Sequence, residues 1–385
     1  MKTYVKAAKF FYASETKSAG YLEIINGKFG RYTKEVDESA AKIIDYSNKW
    51  IAPGLVDTHI HGYGGVDVMD NDWEAVIGTM SEGLLSCGVT SFLPTTLTAE
   101  HRLLAEVAKG IGDHYKEAKG AKIQGIYFEG PYFTKEHKGA QNPIYMGNPS
   151  IEEFRGWQEA ASGLIKKIAL APERQNVEEF VRTLSEEGVV VALGHSNATL
   201  EEATKAVDAG ASVWVHAYNG MRGLTHREPG MVGSVMTLKN TYAELICDGH
   251  HVHPSACGIL MEKLGHEHIA MITDCMRAGG MPEGNYMLGE FPVTVANGTA
   301  RLSENMASLA GSILRLKEGV KNVVEWNLAT VEQAIMMASL IPAISCKIDD
   351  KCGQIKEARD ADFIVLDENL ELVATFLDGV KCYES

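Results

Sequence analysis

Eight short apolar runs recur through the middle of the chain, covering residues 50–56, 89–94, 123–128, 168–171, 189–193, 212–215, 243–247 and 269–273. Most are compact and do not alternate with polar residues. That is the pattern of strands buried on both faces of a parallel sheet. Helical periodicity fills most of the intervals, at 73–86, 100–118, 151–162, 177–187, 200–209 and 254–264. Pro254 suits a first helical turn, and Asn197 and Thr199 are candidate caps before Leu200. About eight strand-then-helix units predict a closed barrel. A doubly wound open sheet is the alternative, but the chain has no Gly-x-Gly-x-x-Gly fingerprint to support it.

The reading is therefore an α/β chain with a (β/α)8 barrel of the TIM type and a small β-sandwich built from both chain ends. Residues 1–50 read as short strands, with Asn26-Gly27 as a hairpin turn, and the last segment reads as strands at 361–367, 370–376 and 380–383. We assign 1–50 with 345–385 to the small β domain and 51–344 to the catalytic barrel. A β-insertion is expected at 287–298, followed by helices at 312–326 and 331–339. At 385 residues the chain is long enough for both parts.

The formal net charge of −15 argues against nucleic acid or an anionic membrane as partner. An anionic small substrate needs only a local basic pocket. The seven cysteines include no Cys-x-x-Cys pair, which points to reduced thiols and a cytoplasmic protein. The first residues lack the apolar core of a signal peptide.

Polar residues fall where the predicted strands end. His59 and His61 follow the first, Glu129 the third, His195 the fifth, His216 the sixth and Asp274 the eighth. In a parallel barrel these ends share one face, where catalytic groups sit. Asp57, His59 and His61, spaced by two, would project together from a strand. A metal held by Glu129, His195 and His216 would generate hydroxide at neutral pH, with Asp274 as general base and then acid. His59 and His61 would hold a second ion sharing Glu129. A further cluster, 218–230 with 248–251, offers Arg227, His251, Asn219 and the Gly220 N–H to an oxyanion. A charged, solvated loop is the alternative there. Arg222 and His226 read as solvent-facing.

His-x-His after the first strand and Asp after the eighth resemble the amidohydrolase superfamily. The segments Phe128-Glu129-Gly130-Pro131, Leu193-Gly194-His195-Ser196, His216-Ala217-Tyr218-Asn219-Gly220-Met221, Arg227-Glu228-Pro229-Gly230, Cys247-Asp248-Gly249-His250-His251-Val252 and Leu309-Ala310-Gly311-Ser312 narrow the likeness. In this order they resemble the N-acetylglucosamine-6-phosphate deacetylases of that superfamily. The resemblance implies metal-dependent hydrolysis of the acetamide of N-acetyl-D-glucosamine 6-phosphate to D-glucosamine 6-phosphate and acetate. It implies Glu129, His195 and His216 as ligands and Asp274 as acid/base. It implies substrate contacts at Ala140, Gln141, Asn219, Gly220, Arg227 and His251, with Leu309, Ala310 and Gly311 at the acetyl end. It implies a homodimer whose neighbouring subunit contributes to the phosphate pocket. The metal is zinc, iron, manganese or cobalt, one or two ions per subunit.

Two departures stand out. Some family members have histidine where this chain has Gln141, which can donate a hydrogen bond but cannot be cationic. Some members lack the His-x-His pair that this chain has, so a second ion could compensate. An amidohydrolase acting on a cyclic amide or aminopurine remains an alternative, distinguished by Arg227 and His251. So does a non-catalytic metal-stabilised scaffold, although such a protein would be expected to have lost donors present here.

Overall fold

The computed structural model describes residues 2–12 and 15–385; Met1, Ala13 and Ser14 lie outside it. The barrel strands are Leu55–Ile60, Val89–Thr96, Ile126–Tyr132, Ile165–Leu170, Val190–Leu193, Val213–Trp214, Tyr242–Ile246 and Ile269–Ile272. They pair in this order, every pair parallel. Closure between the eighth and first is irregular. A parallel bridge joins Ile60 to Cys275, and Asp57 accepts from the Thr273 hydroxyl at 2.6 Å. Strands such as Val190–Leu193 and Ile269–Ile272 are buried throughout, as enclosure by helices outside and packing inside demands.

The helices follow amphipathic spacing. In Val177–Glu186 the buried residues are Val177, Phe180, Val181 and Leu184. Leu200–Ala209 opens on a reciprocal capping box between Thr199 and Glu202. Pro254 occupies the first turn of Pro254–Leu264, and the ring of His253 caps it. The first helical stretch departs from the sequence reading. It begins as Trp73–Ala75, widens over Val76–Met80, recovers at Ser81–Leu84 and tightens at Leu85–Cys87. The Ser81 hydroxyl donates back to the Ile77 carbonyl at 2.6 Å, a local bond that disturbs helical pitch.

Both chain ends enter one eight-stranded sheet, including Lys2–Phe11, Ala41–Pro53 and Phe363–Leu366. The sheet curls over: Phe29 donates its N–H to the Arg359 carbonyl at 2.8 Å, and its ring packs 6.2 Å from that of Phe363. The apolar run at 50–56 is not one strand. Residues to Pro53 end a strand of this sheet, and the barrel strand begins at Leu55. Gly54 makes the change of direction, passing so close to Thr90 that a Cβ would lie 1.9 Å from its hydroxyl oxygen. The insertion after the eighth strand is larger than expected, with four antiparallel strands from Gly284–Leu288 to Asn305–Leu309. Helices Gly230–Thr237 and Leu340–Ser345 are absent from the sequence reading. The first carries glycines and β-branched residues, and the second contains Pro342, all weak helix signals.

Candidate active site

His59 lies within the first barrel strand, and His61, Glu129, His195, His216 and Asp274 cluster with it at one end of the barrel. All six are buried. Three carry left-handed backbone: His195 at φ 44°, His216 at φ 28° and Asp274 at φ 51°. Such conformations are costly for non-glycine residues and concentrate at functional sites.

Each imidazole is anchored through Nδ1, leaving Nε2 inward. Nδ1–H of His195 donates to the His137 carbonyl at 2.8 Å, and that of His216 to the Asn219 carbonyl at 3.1 Å. Nδ1–H of His61 donates to the Thr95 carbonyl at 3.1 Å, and that of His59 to Glu244 Oε2 at 3.0 Å. These bonds set the tautomer, so in the neutral ring each Nε2 is a bare acceptor. Yet the Nε2 atoms of His195 and His216 lie 3.1 Å apart and 3.1 and 3.2 Å from Glu129 Oε1. Three such atoms turned toward one point form a group that could hold a cation. His59 Nε2 is buried with no hydrogen-bond partner, and its nearest oxygens are Glu129 Oε1 and Asp274 Oδ1, both at 3.5 Å. His61 Nε2 is 3.3 Å from Glu129 Oε2 and 3.0 Å from Asp274 Oδ1. The donors therefore fit divalent metal in two groups, Glu129 with His195 and His216, and His59 with His61 and Asp274. Glu129 faces both. Asp274, expected only as the base, also belongs to the second group.

Burial opposes ionisation of Glu129 and Asp274, but the neighbouring imidazoles outweigh it and hold both carboxyls below the ordinary carboxylate range. Burial likewise opposes protonation of His59; the charges of Glu244, Glu129 and Asp274 outweigh it and bring that ring, without metal, to about 9.

A cavity of about 330 Å³ opens over these groups, and Ala140, Gln141, Asn219, Gly220, His251, Leu309 and Gly311 all line it. Gln141 Nε2 donates to Glu129 Oε2 at 2.5 Å, and its Oε1 accepts the Thr98 N–H at 2.7 Å. It thus holds Glu129 and keeps one amide proton unspent. Nδ1–H of His251 donates to Asp248 Oδ2 at 2.6 Å, leaving Nε2 for the cavity. Gly220 has φ 59°, and a Cβ there would meet His195 Nδ1 at 2.9 Å, so only glycine fits. Two expected residues stand apart. Arg227 is exposed on its loop, and Ala310 is buried; neither lines this cavity.

Three residues were missed by the sequence reading. Glu244 and Lys167 lie fully buried inside the barrel, their side chains in contact beneath His59. Asp248 orients His251. For the first two the available signal was a charge inside an otherwise apolar strand. Lys167, on the fourth strand, spends its ammonium on Glu244 and on the Thr58 carbonyl at 2.9 Å, away from the metal donors.

The family model described as the amidohydrolase family matches residues 50–382. The chain belongs to that family. It is 40% identical to the N-acetylglucosamine-6-phosphate deacetylase of Vibrio furnissii, over 87% of this chain and 83% of the relative. It is also 40% identical to the N-acetylgalactosamine-6-phosphate deacetylase of Escherichia coli O157:H7, over 86% of each. A solved structure of the Mycobacterium smegmatis N-acetyl-D-glucosamine-6-phosphate deacetylase matches with a TM-score of 0.92 at 27% identity, covering 99% of both chains. That structure is of an aspartate-to-alanine variant in complex with N-acetyl-D-glucosamine-6-phosphate. Within the amidohydrolases, the chain is an enzyme of the N-acetylglucosamine-6-phosphate deacetylase group.

Proposed function

We propose that the chain hydrolyses the acetamide of N-acetyl-D-glucosamine 6-phosphate, releasing acetate and D-glucosamine 6-phosphate. The observation that carries this reading is the convergence of inward Nε2 acceptors and the Glu129 and Asp274 carboxylates at the floor of a sugar-sized cavity. Glu129, His195 and His216 would hold one divalent ion, and His59, His61 and Asp274 a second; nitrogen and oxygen donors suit zinc, iron, manganese or cobalt. When bound, the metal supplies Lewis acidity and acidifies water.

An acetamide is a weak electrophile with a poor leaving amine, so protons must be moved at defined atoms. Asp274 stays ionised at neutral pH and takes the proton of the attacking water. It returns that proton to nitrogen as the C–N bond breaks. Gln141 holds Glu129 in place and offers its remaining N–H to the acetyl oxygen. His251, oriented by Asp248, joins Asn219 and the Gly220 N–H on the sugar phosphate. Leu309 and Gly311 close on the acetyl group, with Ala310 packed at the same turn. Arg227 lies outside its own cavity, so its role on phosphate requires the cavity of a second copy, in a homodimer. We assign residues 51–344 to the catalytic unit and 1–50 with 345–385 to the small β domain, the strand Ala41–Pro53 carrying the chain from the sheet to the barrel. The protein acts in the cytoplasm without nucleic acid or membrane partner. All seven cysteines are free, and no helix among the described residues is long and apolar enough to cross a membrane.

The test is acetate release from N-acetylglucosamine 6-phosphate against the unphosphorylated sugar. A kcat/KM at least 100-fold higher for the phosphate ester is expected; equal values refute the reading. The Escherichia coli relative favours a second substrate, the galacto epimer, and a higher kcat/KM for that ester would select it.

A further inference from the structure

A buried charge pair lies beneath the metal donors, and the proposed chemistry does not use it. Glu244 and Lys167 are both fully buried, on the seventh and fourth barrel strands. Glu244 Oε1 receives the Lys167 ammonium. Glu244 Oε2 receives Nδ1–H of His59 at 3.0 Å and the backbone N–H of His216 at 3.3 Å. One carboxylate thus touches a donor from each metal group. The ammonium of Lys167 also donates to the carbonyl of Thr58, the residue before His59, and lies 3.7 Å over the Tyr127 ring. That ring meets His59 edge-on, with centroids 4.9 Å apart. The pair therefore touches His59 at its ring and at its preceding peptide, and reaches its flank through Tyr127.

Burying two charges is expensive, and buried ion pairs can often be replaced by apolar residues of similar volume without loss of stability. What an apolar pair could not do is choose a tautomer. His59 can ligate through Nε2 only while Nδ1 carries the proton, and that proton needs an acceptor. We propose that Glu244 and Lys167 act as a positioning pair, Glu244 holding His59 in the Nδ1–H form and Lys167 fixing which face of Glu244 is presented. This rests on His59 being a metal ligand, as proposed above.

Lys167 gives the inference a sharp consequence. In Glu244→Gln, the amide oxygen turns to the ammonium, because an NH2 against that full charge costs more than one against the His216 N–H, 3.3 Å from the same side of the group. The NH2 then faces His59 Nδ1, which must accept, so its ring proton moves to Nε2 and ligation is lost. In the double variant Lys167→Met with Glu244→Gln, nothing holds the amide that way. Its oxygen can face Nδ1, and the ligating tautomer returns.

Two readouts test this on the full-length protein. The first is a zinc titration of metal-depleted protein, with bound metal counted by mass spectrometry. Glu244→Gln is expected to weaken uptake of one ion by 10–100-fold, and the double variant to recover at least tenfold. The second is the long-range proton–nitrogen spectrum of His59 after zinc loading. It should show the Nδ1–H form in the wild type and double variant, and the Nε2–H form in Glu244→Gln. An unaltered tautomer and affinity in Glu244→Gln overturn the proposal, as does a double variant no better than the single one. If Glu244→Gln does not fold, the double variant, which buries no unpaired charge, decides alone: it must keep Nδ1–H and wild-type stoichiometry. A wild type that takes up no zinc overturns the metal reading itself, and a wild type that binds zinc with His59 as Nε2–H overturns only this one.

Discussion

Replacing Asp274 with asparagine should abolish proton transfer while leaving the fold and most metal donors intact. The backbone at Asp274 is left-handed, φ 51°, a region asparagine tolerates as well as aspartate does. Its N–H donates to the His59 carbonyl at 2.9 Å and its carbonyl accepts from Ser312 at 2.7 Å, and neither bond depends on the side chain. The substitution removes the carboxylate that lies 3.0 Å from His61 Nε2 and is kept ionised by the imidazoles around it. An amide at the same place can neither accept nor return the water proton. General acid–base catalysis contributes roughly 10²–10⁴-fold, or about 2.7–5.5 kcal/mol of barrier. The expected result is a fall of that size in kcat for acetate release, with little change in KM and an unchanged melting temperature. Because Asp274 also belongs to the second donor group, bound metal must be counted in the same samples. A metal-replete Asp274→Asn enzyme with kcat within threefold of wild type would refute the assignment.

Further outcomes follow from the same geometry. His59 lies near 9 without metal, so loading must displace its proton. Apparent metal affinity should rise as pH increases toward 9, by about tenfold per unit for each proton displaced; a flat profile by titration would contradict this. By the same linkage, the raised His59 stabilises the metal-free protein below about 6.5, and that contribution is lost as pH rises toward 9. The metal-free melting temperature should fall across that window, as followed by circular dichroism. Arg227→Ala should raise KM for the phosphorylated sugar at least tenfold without lowering kcat. Mixing it with Asp274→Asn should restore activity by forming one intact site per hybrid dimer, and no restoration would remove Arg227 from the site. Gly220→Ala forces a left-handed alanine, costing about 1–2 kcal/mol, and presses on His195. A lower melting temperature and weaker metal retention are expected.

Sequence order brought the candidate metal donors together because His195, His216 and Asp274 follow compact apolar strands, and Glu129, expected after its strand, lies within it, in Ile126–Tyr132. Parallel topology then brings such ends together. One signal misled at the start of the barrel. The apolar run at 50–56 looked continuous because residues on both sides of Gly54 are buried, although they serve different sheets. His59 consequently sits in the strand and not after it. Lys167 and Glu244 were hidden by the same logic that found the strands. A charge in an apolar run reads as a boundary or as noise, and only the closed barrel shows that the two face each other. Arg227 marks a different limit: a loop residue's reach depends on its surroundings, which strand periodicity does not encode.

The most direct test of the account is acetate release from N-acetylglucosamine 6-phosphate by protein stripped of metal with a chelator and then reloaded. Activity should be lost on stripping and return on adding zinc, iron, manganese or cobalt, with Glu129→Gln failing to recover. Full turnover by protein shown by mass spectrometry to carry no metal would contradict it.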